Sequence, residues 1–244
     1  YAVFCLKKKS SLLGISWMWF FGAVFLSQFP SFARDVLGGN THVASLLLVV
    51  FSIGIAIGSL WCERLSHRHV EIGLVPIGAV GMTVFAFDLY RATAGMQRLP
   101  GAELLTASQF VADPHHWRVM ADLALLAFSA GLYSVPMYAL IQLRAQPSHR
   151  ARIIAANNIL NALFMIVSSL GAGAMLAAGF SISEVFGATA VLNVLVVGYV
   201  FWLMPEYIIR LFMLLVTRLV YRLRVRGEEH LPTDGAAILV CNHV

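Results

Sequence analysis

Charge is scarce in this sequence. Asp, Glu, Lys and Arg make up 12% of the 244 residues, about half of the share usual in soluble domains. Hydrophobic residues make up 59%, and the mean hydropathy is +0.80. This balance excludes a soluble single-domain enzyme. The short alternating segments of membrane β-barrel strands are also missing, so the composition favours membrane-spanning helices.

Cysteine is almost as scarce. The three cysteines, Cys5, Cys62 and Cys241, are far apart in the sequence and have no metal-ligand spacing. They indicate reduced thiols and argue against a disulfide framework. The adjacent His115 and His116 do not indicate a metal site either, because two neighbouring side chains cannot readily chelate one ion from a regular helix face. We expect neither a metal nor a bound cofactor.

What the sequence does contain is six long apolar blocks. Each is close to the roughly 20 residues that a helix needs to cross a membrane. Together they hold two charged residues, Asp88 and Asp122, near ends that we expect to face outward. There a carboxylate reaches headgroup water, and proton coupling is the alternative role. We predict an all-α membrane protein with six transmembrane helices, at about 12–33, 43–61, 72–89, 120–143, 153–178 and 185–204.

Basic residues give the orientation. With both ends of the six-helix region inside, thirteen Lys and Arg residues fall on the inner side and four on the outer side. This is the positive-inside pattern of membrane proteins, so we predict that both ends are cytoplasmic. The outer connection 90–119 contains two prolines and two glycines, and we expect an irregular loop there. The net charge of +5 reflects topology and does not indicate a nucleic-acid partner.

The composition changes after residue 204. We predict an amphipathic helix over 205–222 at the membrane interface, where Arg210, Arg218 and Arg222 lie within one sector and meet anionic headgroups. A seventh span is the alternative. Residues 223–244 predict two short strands at the start of an α/β domain. Because the sequence starts at Tyr1 and stops directly after an apolar stretch, we expect it to be a piece of a longer protein.

Small residues occur twice at helix-packing spacing. Gly54 and Gly58 form one pair, and Ser169 and Gly173 form the other. Small side chains let neighbouring helices approach closely, so both pairs predict helix–helix contacts.

Polar side chains inside the predicted spans are candidates for a transport cavity, because burying them in lipid is costly. Asn157 and Asn161 share one face of their helix at i, i+4 spacing, and so do Tyr138 and Gln142. The alternative is that these side chains hydrogen-bond to neighbouring helices and hold the bundle together.

The loop after the second span resembles a known signature. Gly58 is followed by Glu63, Arg64, Ser66 and Arg68 between two spans. This resembles the loop motif of the major facilitator superfamily: Gly, three residues, Asp, Arg, then Gly and basic residues. Here four residues separate Gly58 from the acid, Glu63 replaces Asp and Ser66 replaces Gly. The resemblance implies charge contacts of Glu63 and Arg64 that stabilise one access state, and an ordinary positive-inside loop is the alternative.

The end of the sequence resembles a second family. A predicted buried strand, 236–241, is followed by Asn242 and His243, and the run 225–232 precedes it. Together they resemble the opening of the glycerophosphate acyltransferases, whose first motif is His, four residues and Asp. The resemblance implies that His243 is a general base, which takes the proton of an acceptor hydroxyl as it attacks an acyl thioester. Its Asp partner would lie beyond Val244.

The combination of the two features resembles the bacterial lysophospholipid transporters that are fused to an acyltransferase. The resemblance implies that 1–204 is the second half of a twelve-helix transporter, 205–222 the interfacial helix and 223–244 the start of the enzyme. It implies a bacterial inner-membrane protein whose partners are membrane lipids and a missing N-terminal six-helix half. The resemblance also implies that lysophospholipid is moved to the inner leaflet and reacylated there with an acyl thioester of acyl-carrier protein or CoA. A membrane anchor for the enzyme and a drug or metabolite efflux transporter are the alternatives.

Overall fold

The computed structural model describes residues 2–65, 73–96, 101, 103–144, 149–203 and five positions between 209 and 220, apart from the side chains of 2–11, 144 and 203. The predicted interfacial arginines Arg210, Arg218 and Arg222 lie outside the described residues, and so does the predicted α/β start at 223–244.

The described chain folds as α-helices connected by short segments, with no β-strand in these ranges. Helix α1 continues into one π-helical turn, Phe32–Val36. The helices are α1 Ala2–Ser31, α2 Thr41–Leu65, α3 Leu74–Thr93, α4 Ala107–Ala112, α5 Trp117–Arg144, α6 Arg150–Ala177 and α7 Ile182–Leu203.

Six of these helices are long and apolar enough to cross a membrane, namely all except α4. Their surfaces agree with this, because many large apolar side chains point away from the bundle. Leu170 and Leu195 are about 70% exposed, and Trp202 is 77% exposed. A water-soluble protein rarely exposes so much contiguous apolar surface. The prediction of an all-α protein with six helices long and apolar enough to span a membrane is confirmed in the part of the chain that the structure describes.

The connection between α3 and α5 contains a helix of its own, so the expectation of an irregular loop is wrong for 107–116. Thr106 caps α4: its hydroxyl accepts from the backbone N–H of Gln109 at 3.4 Å, and the Gln109 side chain accepts from the N–H of Thr106 at 2.9 Å. The segment also contacts the turn between α1 and α2. The N–H of Asn40 donates to the carbonyl of Leu105 at 3.0 Å, and the N–H of Leu105 donates to Gly38 at 2.8 Å.

Helix α5 lies at the centre of the bundle, where α2 and α3 both press against its backbone. A Cβ placed on Gly54 would lie 2.6 Å from the carbonyl oxygen of Ala124, and one on Gly58 would collide with the carbonyl of Phe128. In return, a Cβ on Gly131 of α5 would lie 2.7 Å from the carbonyl oxygen of Ile55. The contact predicted from Gly54 and Gly58 is therefore confirmed.

The second small-residue pair does not form such a contact. The side chain of Ser169 is exposed, and a Cβ on Gly173 would meet nothing within 4 Å among the described residues. The prediction of a helix contact at Ser169 and Gly173 is wrong for this six-helix bundle. The reason is that α6 packs on α1 through another face, which carries Asn157, Asn161 and Ser168.

Aromatic side chains fill the space between α1 and α7. The rings of Phe25 and Phe186 stack with their centroids 4.3 Å apart, and Phe32 meets Phe186 edge to face at 5.1 Å. Both stacking and edge-to-face packing are favourable arrangements of aromatic quadrupoles. All three rings are buried, so this cluster fixes the start of α7 against the end of α1.

The long helices pair in a crossed order. Helix α1 packs on α6, α2 packs on α5, and α3 packs on α7. Exchanging the triplet α1–α3 with the triplet α5–α7 interchanges the first two pairs and returns the third pair to itself. These three pairs are therefore unchanged as a set when the two triplets are exchanged. The correspondence of the two triplets is approximate because α3 also packs extensively on α5, whereas α1 packs more lightly on α7.

We expect Gly58→Ala to lower the free energy of unfolding by about 1–3 kcal/mol, since the added methyl meets the rigid backbone of α5. Gly173→Ala is the matched control. It adds the same methyl to a helix where nothing lies within 4 Å, and we expect it to be neutral or stabilising by up to about 1 kcal/mol. Unfolding of the purified protein in mixed detergent micelles measures both. Equal effects of the two substitutions would contradict the close contact of α2 with α5.

Candidate functional site

Three of the four predicted cavity residues meet side chains of α1 in one hydrogen-bonded group, here called the amide cluster: Ser16, Trp19, Tyr138, Asn157 and Asn161. The hydrogen-bonding pattern turns the amide nitrogen of Asn161 toward Ser16 Oγ, at 2.8 Å. The amide oxygen then faces the indole nitrogen of Trp19 and the amide nitrogen of Asn157, both at 3.1 Å. The indole N–H of Trp19 also donates to the hydroxyl of Tyr138, at 2.7 Å. The cluster thus joins α1, α5 and α6.

One buried atom of the amide cluster has no hydrogen-bond partner among the described residues. It is the side-chain oxygen of Asn157. Buried polar atoms almost always have a partner, so this oxygen is a candidate contact for a donor that binds there. Asn157 and Asn161 lie about 10–16 Å from the first residue of α6 by the 1.5 Å rise of a helix. The cluster is therefore inside the span and not at its end.

Three of the four predicted cavity residues belong to this cluster, and Gln142 does not. Tyr138 is half-buried and bonded to Trp19, whereas the side chain of Gln142 is exposed on the last turn and a half of α5. Asn158, about 100° around α6 from Asn157, is also exposed. The i, i+4 spacing of Tyr138 and Gln142 places them on neighbouring turns of one face of α5. It did not show that only Tyr138 is covered by a neighbouring helix.

Sequence reasoning missed a second polar group, around Asn193 of α7. Its side-chain oxygen accepts from the indole N–H of Trp17 at 2.7 Å. Its amide nitrogen donates to the carbonyl of Ala79 at 3.0 Å and to the hydroxyl of Thr83 at 2.8 Å. Asn193 is buried and connects three helices. A single amide within an otherwise apolar run was the available signal, because such a residue needs partners in lipid.

Of the residues that resemble the loop signature, three are described. Gly58 lies in the contact of α2 with α5, and Glu63 and Arg64 are exposed on the last turn of α2. Arg68 lies outside the described residues, and so does His243. The proposed charge contacts of Glu63 and Arg64 and the proposed base role of His243 therefore remain predictions.

The two carboxylates in the spans lie side by side and have different surroundings. Asp88 of α3 is about 39% exposed and accepts two bonds from the guanidinium of Arg118, at 2.5 and 3.2 Å. Asp122 of α5 is only 5% exposed, next to Asp88, and one of its oxygens has no partner among the described residues. The interface prediction agrees with the placement of Asp88 and is wrong for Asp122, because α3 covers that carboxylate.

The two histidines of the outer connection hold the start of α5. The carboxylate of Asp113 accepts from the backbone N–H of His115 at 3.0 Å and lies 2.8 Å from its ring nitrogen Nδ1. These hydrogen bonds keep the pKa of the Asp113 carboxyl below its usual value. The ring of His116 stacks on Phe110 with centroids 4.0 Å apart. Within the described ranges no group of three or more His, Cys, Asp or Glu side chains is arranged to hold a metal.

Comparison with family models, with curated proteins and with solved structures finds no match to this chain.

We expect Asn193→Leu to destabilise the bundle by about 1–2 kcal/mol, near the upper end for hydrogen bonds inside membranes, because it leaves Trp17 and Thr83 without their partner. The matched control is Asn158→Leu, an equal change of side chain at an exposed position, where we expect an effect below about 0.5 kcal/mol. Thermal unfolding in detergent measures the difference. An Asn193 variant as stable as the control would show that these bonds contribute nothing.

Proposed function

We propose that the six helices are one half of a major facilitator transporter that moves a lysophospholipid to the inner leaflet. The observation that carries the proposal is the crossed pairing of the two helix triplets. Helices α1 and α5 run in opposite directions, because three spans separate their starts, so the second triplet is inverted relative to the first. Inverted three-helix repeats nested within each six-helix half are a feature of major facilitator transporters.

The amide cluster is the proposed substrate contact. It combines a few hydrogen-bonding groups with apolar surroundings, and Asn157 offers a buried oxygen that has no partner among the described residues. Such a site suits an amphiphile with one polar headgroup, whereas a sugar needs many hydrogen-bonding side chains near the midplane. The exposed side chains of Trp19 and Gln142 place polar groups on two of the same helices, α1 and α5. We propose that this face lines the cavity shared with an N-terminal six-helix half.

The location of the cluster supports delivery to the cytoplasmic leaflet. It lies nearer to the end of the bundle where α1 and α6 begin and α5 ends. The count of thirteen Lys and Arg residues on the predicted inner side supports the proposal that this end faces the cytoplasm of a bacterial inner-membrane protein. There the proposed acyltransferase, with His243 as general base and an acyl thioester of acyl-carrier protein or CoA as donor, meets the delivered lysophospholipid. Each step of this sequence is a proposal.

Transport of labelled lysophospholipid into vesicles tests the first activity. We expect the intact protein carrying both Asn157→Leu and Asn161→Leu to lose at least about tenfold in rate, because the headgroup loses its hydrogen bonds. Asn158→Leu is the control, since it makes the same change on the exposed side of the helix, and its rate should stay within about twofold. Unchanged transport by the double variant would refute the assignment of the cluster. Absence of transport by the wild type would favour a membrane anchor, and uptake of unrelated amphiphiles at equal rates would favour an efflux transporter.

Substitution of the proposed base separates the two activities. In the intact protein, His243→Ala should abolish acylation of lysophospholipid, because no group would then take the hydroxyl proton, while transport continues. Formation of diacyl lipid from a labelled thioester measures the first activity, and the vesicle assay measures the second. For residues 1–244 alone we expect no acylation. Acylation by that segment, or by the His243 variant, would contradict the assignment of His243.

A further inference from the structure

A groove of about 650 Å³ runs along α3 and α7 at the end of the bundle where α3 ends and α5 begins. Its upper part carries three charged side chains, Asp88, Arg91 and Arg118. Its lower part is apolar and includes Val84 and Val191. The groove contains none of the residues of the amide cluster, so it is separate from the proposed transport cavity.

The three charged side chains that line the top of the groove are one acid and two bases, with Asp122 buried next to Asp88. Arg118 is bonded to Asp88 through two nitrogens, so these two groups largely neutralise one another. Arg91 is exposed and makes no ion pair with any residue that the structure describes. One guanidinium therefore remains available for an anion. Arginine prefers phosphate and carboxylate partners, because its planar donors match two oxygens at once.

The apolar part lies at the depth where an acyl chain would run. Val84 is two turns of α3 below Arg91, which is about 10 Å along the helix. Phe87, Val191 and Val194 lie beside it, and each is between about 40% and 60% exposed. In a helix of a membrane-spanning bundle these side chains face hydrocarbon. A charged upper part over an apolar lower part is the pattern of a glycerophospholipid, whose phosphate lies at the interface above its acyl chains.

We propose that this groove binds a membrane glycerophospholipid, with its phosphodiester on Arg91 beside Arg118 and one acyl chain along Val84, Val191 and Val194. The proposal does not depend on lysophospholipid transport, because the groove and the amide cluster share no residue. The lipid would cover apolar surface between α3 and α7 and offset the unpaired charge of Arg91.

Native mass spectrometry of the full-length protein in detergent tests the site with two probes of equal acyl chains, phosphatidylglycerol and diacylglycerol. We expect phosphatidylglycerol to remain bound to the wild type and diacylglycerol to be lost, because the latter has no phosphate. Arg91→Gln should weaken retention of phosphatidylglycerol about tenfold through the loss of a charge-assisted contact. The matched control is Arg34→Gln, an exposed arginine at the same end of the bundle in a different, more polar pocket, and it should retain the lipid as the wild type does.

A second variant tests the apolar part independently. Val191→Trp fills the groove and leaves Arg91 in place, and we expect it to weaken phosphatidylglycerol retention to a similar extent. Thermal unfolding confirms that each variant is folded before binding is compared. Equal retention of the two probes, equal retention by wild type and Arg91→Gln, or an equal loss in Arg34→Gln would each overturn the proposal. A failure of transport with intact lipid retention would count against the proposed function alone.

Discussion

The bundle depends on how closely two helices approach the backbone of α5. Lipid supplies no hydrophobic force between helices, so the contacts of α2 and α3 with α5 depend on packing at short range. Gly54 and Gly58 on one side make that approach possible, and Gly78 does the same on the other, where an added Cβ would lie 2.7 Å from the carbonyl oxygen of Ser129. From this central position, side chains of α5 also reach α1. The hydroxyl of Tyr133 in α5 donates to the carbonyl of Gly14 in α1 at 3.0 Å, and this bond connects α1 to α5.

The polar groups inside the bundle divide into a satisfied set and an unsatisfied set. Asn193 uses both ends of its amide and connects α1, α3 and α7, which is what a purely structural amide does. Asn157 differs because its oxygen has no partner among the described residues, although it is equally buried. A polar residue in a span can either hold helices together or bind a ligand, and its spacing in the sequence does not distinguish the two roles. The hydrogen-bond partners of Asn193 and Asn157 do distinguish them. Structural glue describes Asn193, and a binding role is the better hypothesis for Asn157.

Composition and spacing predicted the six spans and the close contact at Gly54 and Gly58, because length, hydropathy and small residues act locally. Features that depend on a neighbouring helix were not predicted. Asp122 is buried because α3 covers it, and Ser169 is exposed because α6 packs on α1 through another face. The residues next to Asp122 and Ser169 in the sequence indicate neither contact. Some errors had readable signals. Thr106 with Gln109 and Ser181 with Glu184 are capping boxes, and they explain the helix at 107–112 and the start of α7 at 182 instead of 185.

Trp17 and Trp19 of α1 have a mechanical consequence for any movement of this helix. Their indoles point to different partners, Asn193 of α7 and Tyr138 of α5, at the same level of the helix. A rotation of α1 about its own axis would pull both donors off their acceptors at once, whereas a tilt of the whole helix can keep both bonds. The two indole hydrogen bonds therefore oppose rotation of α1 about its own axis, and they favour movement of α1 as one body with α5 and α7, which carry the acceptors.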